Sequence, residues 1–189
     1  SSLTGAYVWG DGTNIYYSAG SSQYVLNKST STWSTMTWTG LTNFYGFDVW
    51  SDGTDIYMSN SSYQYVLDKA ESKWTSKSWN GYSNVTGRYI WHSVLGYHYS
   101  NGSTQYTLDK STSTWSTQTW TGLTSFNGNM IWNDGSYQYY SNSGEQYALT
   151  PSTSKWTSQS WSGLLSFKGN NVWTFGADLY YSSDSSQYV

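Results

Sequence analysis

Apolar and aromatic side chains come in short bursts divided by runs of Ser, Thr, Gly and Asn, and the whole pattern returns every 41 residues. One set reads Val8-Trp9, Ile15-Tyr16-Tyr17, Tyr24-Val25-Leu26 and then Trp33 to Trp38; the next starts at Val49-Trp50. Trp9, Trp50, Trp91, Trp132 and Trp173 share one position of the repeat. Trp33, Trp74, Trp115 and Trp156 share a second, and Trp38, Trp79, Trp120 and Trp161 a third. Those three columns hold all 13 tryptophans. A unit of this length is one supersecondary motif that cannot bury its apolar surface alone and has to stack on its neighbours.

The bursts are strand-like. Asp11-Gly12, Asp52-Gly53 and Asp134-Gly135 are hairpin turns between β-prone segments. A second strand, Ile15 to Ser18 and its copies, leads through a Gly/Ser/Asn loop to a third that starts at Gln23, Gln64, Gln105, Gln146 or Gln187. A polar turn then introduces a fourth, from Trp33 to Trp38 in the first unit. Loops this short make all four strands antiparallel. Neighbouring strand residues point to opposite faces, so pairs such as Val8-Trp9 and Tyr16-Tyr17 ask for burial on both. A sheet sandwiched between copies of itself meets that demand, as in a β-propeller. No stretch shows the 3.6-residue period of a helix.

The predicted fold is therefore all-β: a single domain, 1–189, forming a five-bladed β-propeller of 41-residue four-stranded repeats. The units are 5–45, 46–86, 87–127, 128–168 and a partial 169–189, which makes the last blade three-stranded. The competing expectation is a fragment of a larger ring or array, whose last strand self-associates through its open edge. The chain begins at Ser1, as a processed chain or a piece of a longer one would.

Composition narrows the function. Charged residues are only 10% of the chain and aromatics 20%, with a net charge of −3 and a single arginine, Arg88. Nucleic acid is not the expected partner, since there is no basic patch. No apolar run approaches the roughly 20 residues of a membrane span. With no cysteine there is neither a disulfide framework nor a thiolate metal site. A hydroxyl-rich, charge-poor surface points to an extracellular, cell-surface or virion setting.

At these landmarks the chain resembles the kelch repeat. The matching stretches are Asp52-Gly53-Thr54-Asp55-Ile56-Tyr57 and the run Tyr106-Thr107-Leu108-Asp109 through Thr114-Trp115. The likeness departs where kelch has a Gly-Gly doublet, here Ala19-Gly20, Asn60-Ser61 or Asn101-Gly102. The period is also short for that family, which marks a kelch-like variant of bacterial or phage type. The resemblance implies a propeller with four-stranded blades, a fold that serves as a partner-binding scaffold and, in some enzymes, as a catalytic platform.

The periodic aromatics are expected to pack blades rather than bind sugars, because they obey the repeat and bury large areas. Recognition is expected where the copies differ. Beside each opening glycine the side chains change freely, and in a propeller these connections ring one mouth of the central channel. That places Tyr7, Tyr45, Asp48, Arg88, Tyr89, Asn129 and Lys168 at a candidate binding site for a glycan or a protein partner. Arg88 offers a planar hydrogen-bonding fork and a stacking surface; its other expected role is a surface charge paired with Asp48. His98 stands in a tyrosine column and reads as a packed histidine, His92 as an exposed turn residue. Two histidines without cysteine make no zinc site. A propeller glycosidase needs two carboxylates across the channel, and only Asp48 sits at an inner position. The expectation is a non-catalytic binding module with no catalytic residue, cofactor or metal. The alternative is a structural repeat whose job is its shape.

Overall fold

In a computed structural model the described residues are 8–188, apart from 46, 61, 165, 176–177 and 184–185. Trp9 on β1 (Val8–Gly10) faces Tyr16 on β2 (Ile15–Ala19), which continues into β3 (Ser22–Asn27) and β4 (Thr32–Thr35). The same antiparallel meander recurs as β5 (Asp48–Ser51), β6 (Ile56–Ser59), β7 (Gln64–Asp68) and β8 (Lys73–Ser76). The third sheet contains β9 (Ile90–Ser93), β10 (Gly96–Gly102), β11 (Thr104–Asp109) and β12 (Thr114–Thr117), and the fourth β14 (Ile131–Asn133), β15 (Gln138–Ser143), β16 (Glu145–Thr150) and β17 (Lys155–Ser158). The fifth has three strands, β19 (Val172–Phe175), β20 (Asp178–Ser183) and β21 (Ser186–Tyr188). The architecture is the five-bladed β-propeller expected from the repeat. Contacts group the chain into two compact units, one running to Trp79 with Ser83–Arg88, the other comprising Asn80–Tyr82 and everything from Tyr89.

Register explains the first tryptophan column. Trp9, Trp50 and Trp132 stack on the tyrosine opposite, at 4.4 Å for Trp9–Tyr16 and Trp50–Tyr57 and 4.5 Å for Trp132–Tyr139, while Trp91 lies tilted against His98 at 4.4 Å. Trp9, Trp50, Trp91 and Trp132 also donate their ring N–H to a serine on the second strand, Ser18, Ser59, Ser100 and Ser141 in turn. The indole thus buries its face and satisfies its one donor at once. In the first unit Trp9 and Tyr16 join Trp38, Phe44, Met58 and Trp74 in one core. In the second, Trp91, Trp120, Phe126, Tyr140 and Trp156 form its counterpart.

The third tryptophan column differs from expectation. The fourth strands end at Thr35, Ser76, Thr117 and Ser158, so Trp38, Trp79, Trp120 and Trp161 lie beyond them. The chain there leaves its own sheet to stitch onto the next fourth strand. In the first unit, Trp74 N–H donates to Thr39 O at 2.8 Å and Thr39 N–H to Ser72 O at 3.1 Å. In the second, Trp115 N–H donates to Asn80 O and Trp156 N–H to Thr121 O. Each stitch ends in a glycine with φ near +80°, Gly40, Gly81 or Gly122, where a Cβ would overlap the carbonyl oxygen of Trp74, Trp115 or Trp156. Only glycine permits both the left-handed turn and the close approach. Gly163 repeats the turn at φ +88° with no described atom within 4 Å of the Cβ position.

Two further strands were not foreseen. β13 (Phe126–Asn127) and β18 (Phe167–Lys168) add to the far ends of β10 and β15. Each leads into a 3-10 turn, Gly128–Met130 and Gly169–Asn171, and Gly87–Tyr89 forms another. Among the described residues no α-helix occurs, and no helix is long and apolar enough to cross a membrane.

Candidate functional site

Of the variable residues beside the opening glycines, Arg88, Tyr89 and Asn129 sit in those 3-10 turns, Asp48 opens β5 and Lys168 ends β18, and the glycines explain how closely the turns nest. A Cβ on Gly87 would lie 2.8 Å from Asp48 O and 3.0 Å from the Trp50 ring. The chain at Arg88 is therefore pressed onto the start of β5. From there Arg88 Nε donates to Asp48 Oδ2 at 3.2 Å. The pair borders a cavity of about 190 Å³ whose apolar wall includes Phe44, Phe47, Val49 and Met58. The Arg88 side chain is 54% exposed and that of Asp48 24%. A pair so wetted contributes little to stability, within about 1 kcal/mol, so its value lies in what it presents: a fixed guanidinium plane beside an apolar hollow.

Tyr45 belongs to the same unit and is 62% exposed, its ring lying over Gly20, where a Cβ would come within 2.6 Å of Tyr45 Cε2. Tyr7 lies outside the described residues. Tyr89, Asn129 and Lys168 belong to the second unit. Tyr89 is half-buried, with its ring edge-on to Tyr99 at 6.2 Å. Its carbonyl oxygen occupies the space a Cβ on Gly128 would need, and Met130 O does the same at Gly169. The turns carrying Tyr89 and Asn129 are thus stacked in succession. Asn129 Oδ1 is buried with no hydrogen-bond partner among the described residues, whereas Lys168 is exposed on β18 opposite Asn142. The structure brings Asp48 and Arg88 together in one unit, and Tyr89 and Asn129 onto neighbouring turns in the other.

Titratable groups elsewhere serve the fold. Tyr16, Tyr57 and Tyr139 donate their hydroxyls to Asp11, Asp52 and Asp134 of the first hairpin turn. Burial pushes the Tyr57 phenol well up, reinforced by the Asp52 and Asp55 carboxylates. Burial works to raise Asp11 and Asp134, yet hydrogen bonds from turn N–H groups and the tyrosine hydroxyl hold both below the ordinary carboxylate value. In the third sheet the pair is replaced on both sides, by Ser93 and His98. His98 is fully buried, with Nε2 2.9 Å from Ser93 Oγ and Nδ1 2.9 Å from Thr107 Oγ1. It is a packed histidine, and burial lowers its pKa to about 4. Sequence reasoning saw His98 in its column but missed Ser93 opposite. The signal was the loss of both the aspartate and the glycine of the first turn, which become Ser93-Val94 in that copy. No group of three His, Cys, Asp or Glu among the described residues is placed to hold a metal.

Neither a family model nor a curated relative matches this sequence. Among solved structures, the extracellular domain of a B. thetaiotaomicron protein assigned to the one-component systems is similar, with a TM-score of 0.61 and 17% identity. The match covers 96% of this chain and 25% of that one, so the chain spans a quarter of that protein's length. At such identity the likeness is one of fold, a propeller within an extracellular domain.

Proposed function

We propose that the chain is a non-catalytic binding module of kelch-like type whose contact surface includes the Arg88–Asp48 pair. The observation that carries this reading is the contrast between the two kinds of position. Most of the periodic tryptophans are buried in the blades, whereas the lone arginine is held half-exposed by Asp48 beside an apolar hollow. A guanidinium fixed by one hydrogen bond keeps further donors for a partner's carbonyl, carboxylate or hydroxyl groups. The extracellular domain of similar fold is in keeping with a glycan or protein partner met outside the cell. A role as an enzyme is not proposed, because among the described residues Asp48 is the one carboxylate that lines the hollow.

The test is a binding screen against glycans, cell-wall polymers and surface proteins, run with wild type and Arg88→Ala. Binding lost in Arg88→Ala supports the module. Binding that Arg88→Ala leaves untouched removes the Arg88 surface from the site. A structural role is the second reading, favoured by the 46% exposure of Trp173 against 8% for Trp132 in the same column; it predicts no binding and concentration-dependent association.

A further inference from the structure

The two units contain the same groove in two versions. In the first unit it is lined by Thr54 to Ile56, Val66 to Lys69 and Thr75, with a volume near 480 Å³. In the second it is lined by the residues 82 positions later, Ser136 to Gln138, Ala148 to Pro151 and Thr157, and reaches about 630 Å³. The internal repeat makes the first groove a control for the second, and the differences between them are chemically consistent.

The first groove is charged and strapped. Asp55, Asp68 and Lys69 line it, and Lys69 Nζ reaches the preceding sheet's turn, 3.3 Å from Asp11 O and 3.9 Å from Asp11 Oδ2. In the second groove the lysine has become Pro151 and the aspartate of the preceding turn Ser93. Without the strap the groove runs on to His92 and Val94, and no Asp, Glu, Lys or Arg lines it. Asp55 is replaced by Tyr137, Ile56 by Gln138 and Val66 by the smaller Ala148. Tyr137 is 62% exposed yet held in place, its backbone N–H donating to Asp134 Oδ1 at 2.7 Å. Val94 is 86% exposed at a turn where three other copies carry Asp-Gly.

We infer that this second groove is a binding site for a neutral sugar, a pyranose unit of an uncharged glycan. A pyranose presents a flat C–H face and a rim of hydroxyls. The exposed Tyr137 ring offers the stacking surface, and Val94 and Pro151 the apolar surround. The amides of Asn133, Gln138 and Gln159 supply both donors and acceptors for hydroxyls. A volume of several hundred Å³ suits a ligand of that size. The absence of fixed charge removes any preference for an anionic sugar and makes binding insensitive to salt. The inference is independent of the Arg88 surface, which lies in the other unit.

The test is calorimetry and saturation-transfer NMR with uncharged trisaccharides of glucose, mannose, galactose and N-acetylglucosamine, with heparin-derived and sialylated oligosaccharides as anionic counterparts. At least one uncharged trisaccharide should bind, with affinity unchanged by added salt. Tyr137→Ala should weaken it about tenfold or more, equivalent to about 1.4 kcal/mol. Tyr137→Phe, which keeps the ring, should retain it, and Pro151→Lys, which returns the lysine of the first groove, should weaken it. Arg88→Ala should leave it unchanged, which separates this site from the Arg88 surface. Melting curves of each variant show whether it is folded. Binding of anionic sugars only, binding indifferent to Tyr137→Ala in a folded protein, or no binding to any trisaccharide would overturn the inference.

Discussion

His98 Nε2 lies 2.9 Å from Ser93 Oγ, where the second sheet sets the Tyr57 hydroxyl on the Asp52 carboxylate. Both partners of a repeated hydrogen bond have changed together. A tyrosine beside an aspartate tolerates burial because the phenol stays protonated. A buried histidine tolerates it only while neutral.

That difference predicts a pH dependence confined to one blade. Burial lowers the His98 pKa from 6.5 to about 4. Between those values the unfolded chain binds a proton the folded protein refuses, so stability rises with pH across the window. The neutral-histidine contribution is complete above the unfolded value and is lost as pH falls from 6.5 toward 4, by up to about 3 kcal/mol. His98→Tyr should flatten this slope relative to wild type in urea melts at pH 7, 5.5 and 4.5. Equal slopes for the two proteins would mean that His98 does not titrate below its ordinary value.

The stitch glycines allow a matched comparison. Gly122 and Gly163 share nearly the same positive φ, +84° and +88°, but only Gly122 is packed against a carbonyl, that of Trp156. Both alanine variants carry the left-handed backbone cost of about 1–2 kcal/mol. Gly122→Ala must in addition break the Thr121–Trp156 stitch, so its loss should exceed that of Gly163→Ala by at least about 1 kcal/mol. Equal losses in thermal or chemical melts would show that the stitch adds nothing.

How much of this was readable in advance follows from what a period can carry. The 41-residue spacing located five sheets, their strand order and the packing role of the tryptophans, because stacking of identical units forces identical positions inward. It did not reveal that Trp38 and its copies leave their own sheet, since Trp33 and Trp38 look like the two ends of one strand. Nor did it show the 3-10 turns, which depend on how far a glycine lets two backbones approach. The Arg88–Asp48 pair was expected from charge alone and is present. The groove at Tyr137 was not legible in the period because its residues come from two hairpins brought together by packing, although the turn at Val94 has plainly lost the Asp-Gly pair.

The second tryptophan column predicts unequal costs within one motif. Trp74 is 1% exposed under the Thr39 stitch, whereas Trp33 is only half-buried and no such bridge is described on β4. Trp74→Ala should cost about 3–5 kcal/mol and Trp33→Ala clearly less, measured by denaturant titration. A larger cost at Trp33 would contradict the assignment of the stitch as the feature that completes burial.

The first column carries a hydrogen bond that can be removed alone. Ser100→Ala leaves the buried Trp91 indole N–H without its acceptor, 2.9 Å away in the native protein, at a cost of about 1–3 kcal/mol. Ser100→Thr, which keeps a hydroxyl, should recover part of it. Full stability in Ser100→Ala would show that the indole N–H finds another partner.

The central claim is that periodic aromatics build the fold while recognition belongs to positions where the copies differ. Its most direct test is an NMR titration of the protein with whichever glycan or partner the binding screens identify, following the 13 indole N–H signals together with the backbone amides. The predicted result is a set of shifts centred on residues 47–48 and 88, or on residues 92–94 and 133–138, with the indoles of Trp74, Trp115 and Trp156 unmoved. Shifts centred instead on the indole signals of the three tryptophan columns would contradict it.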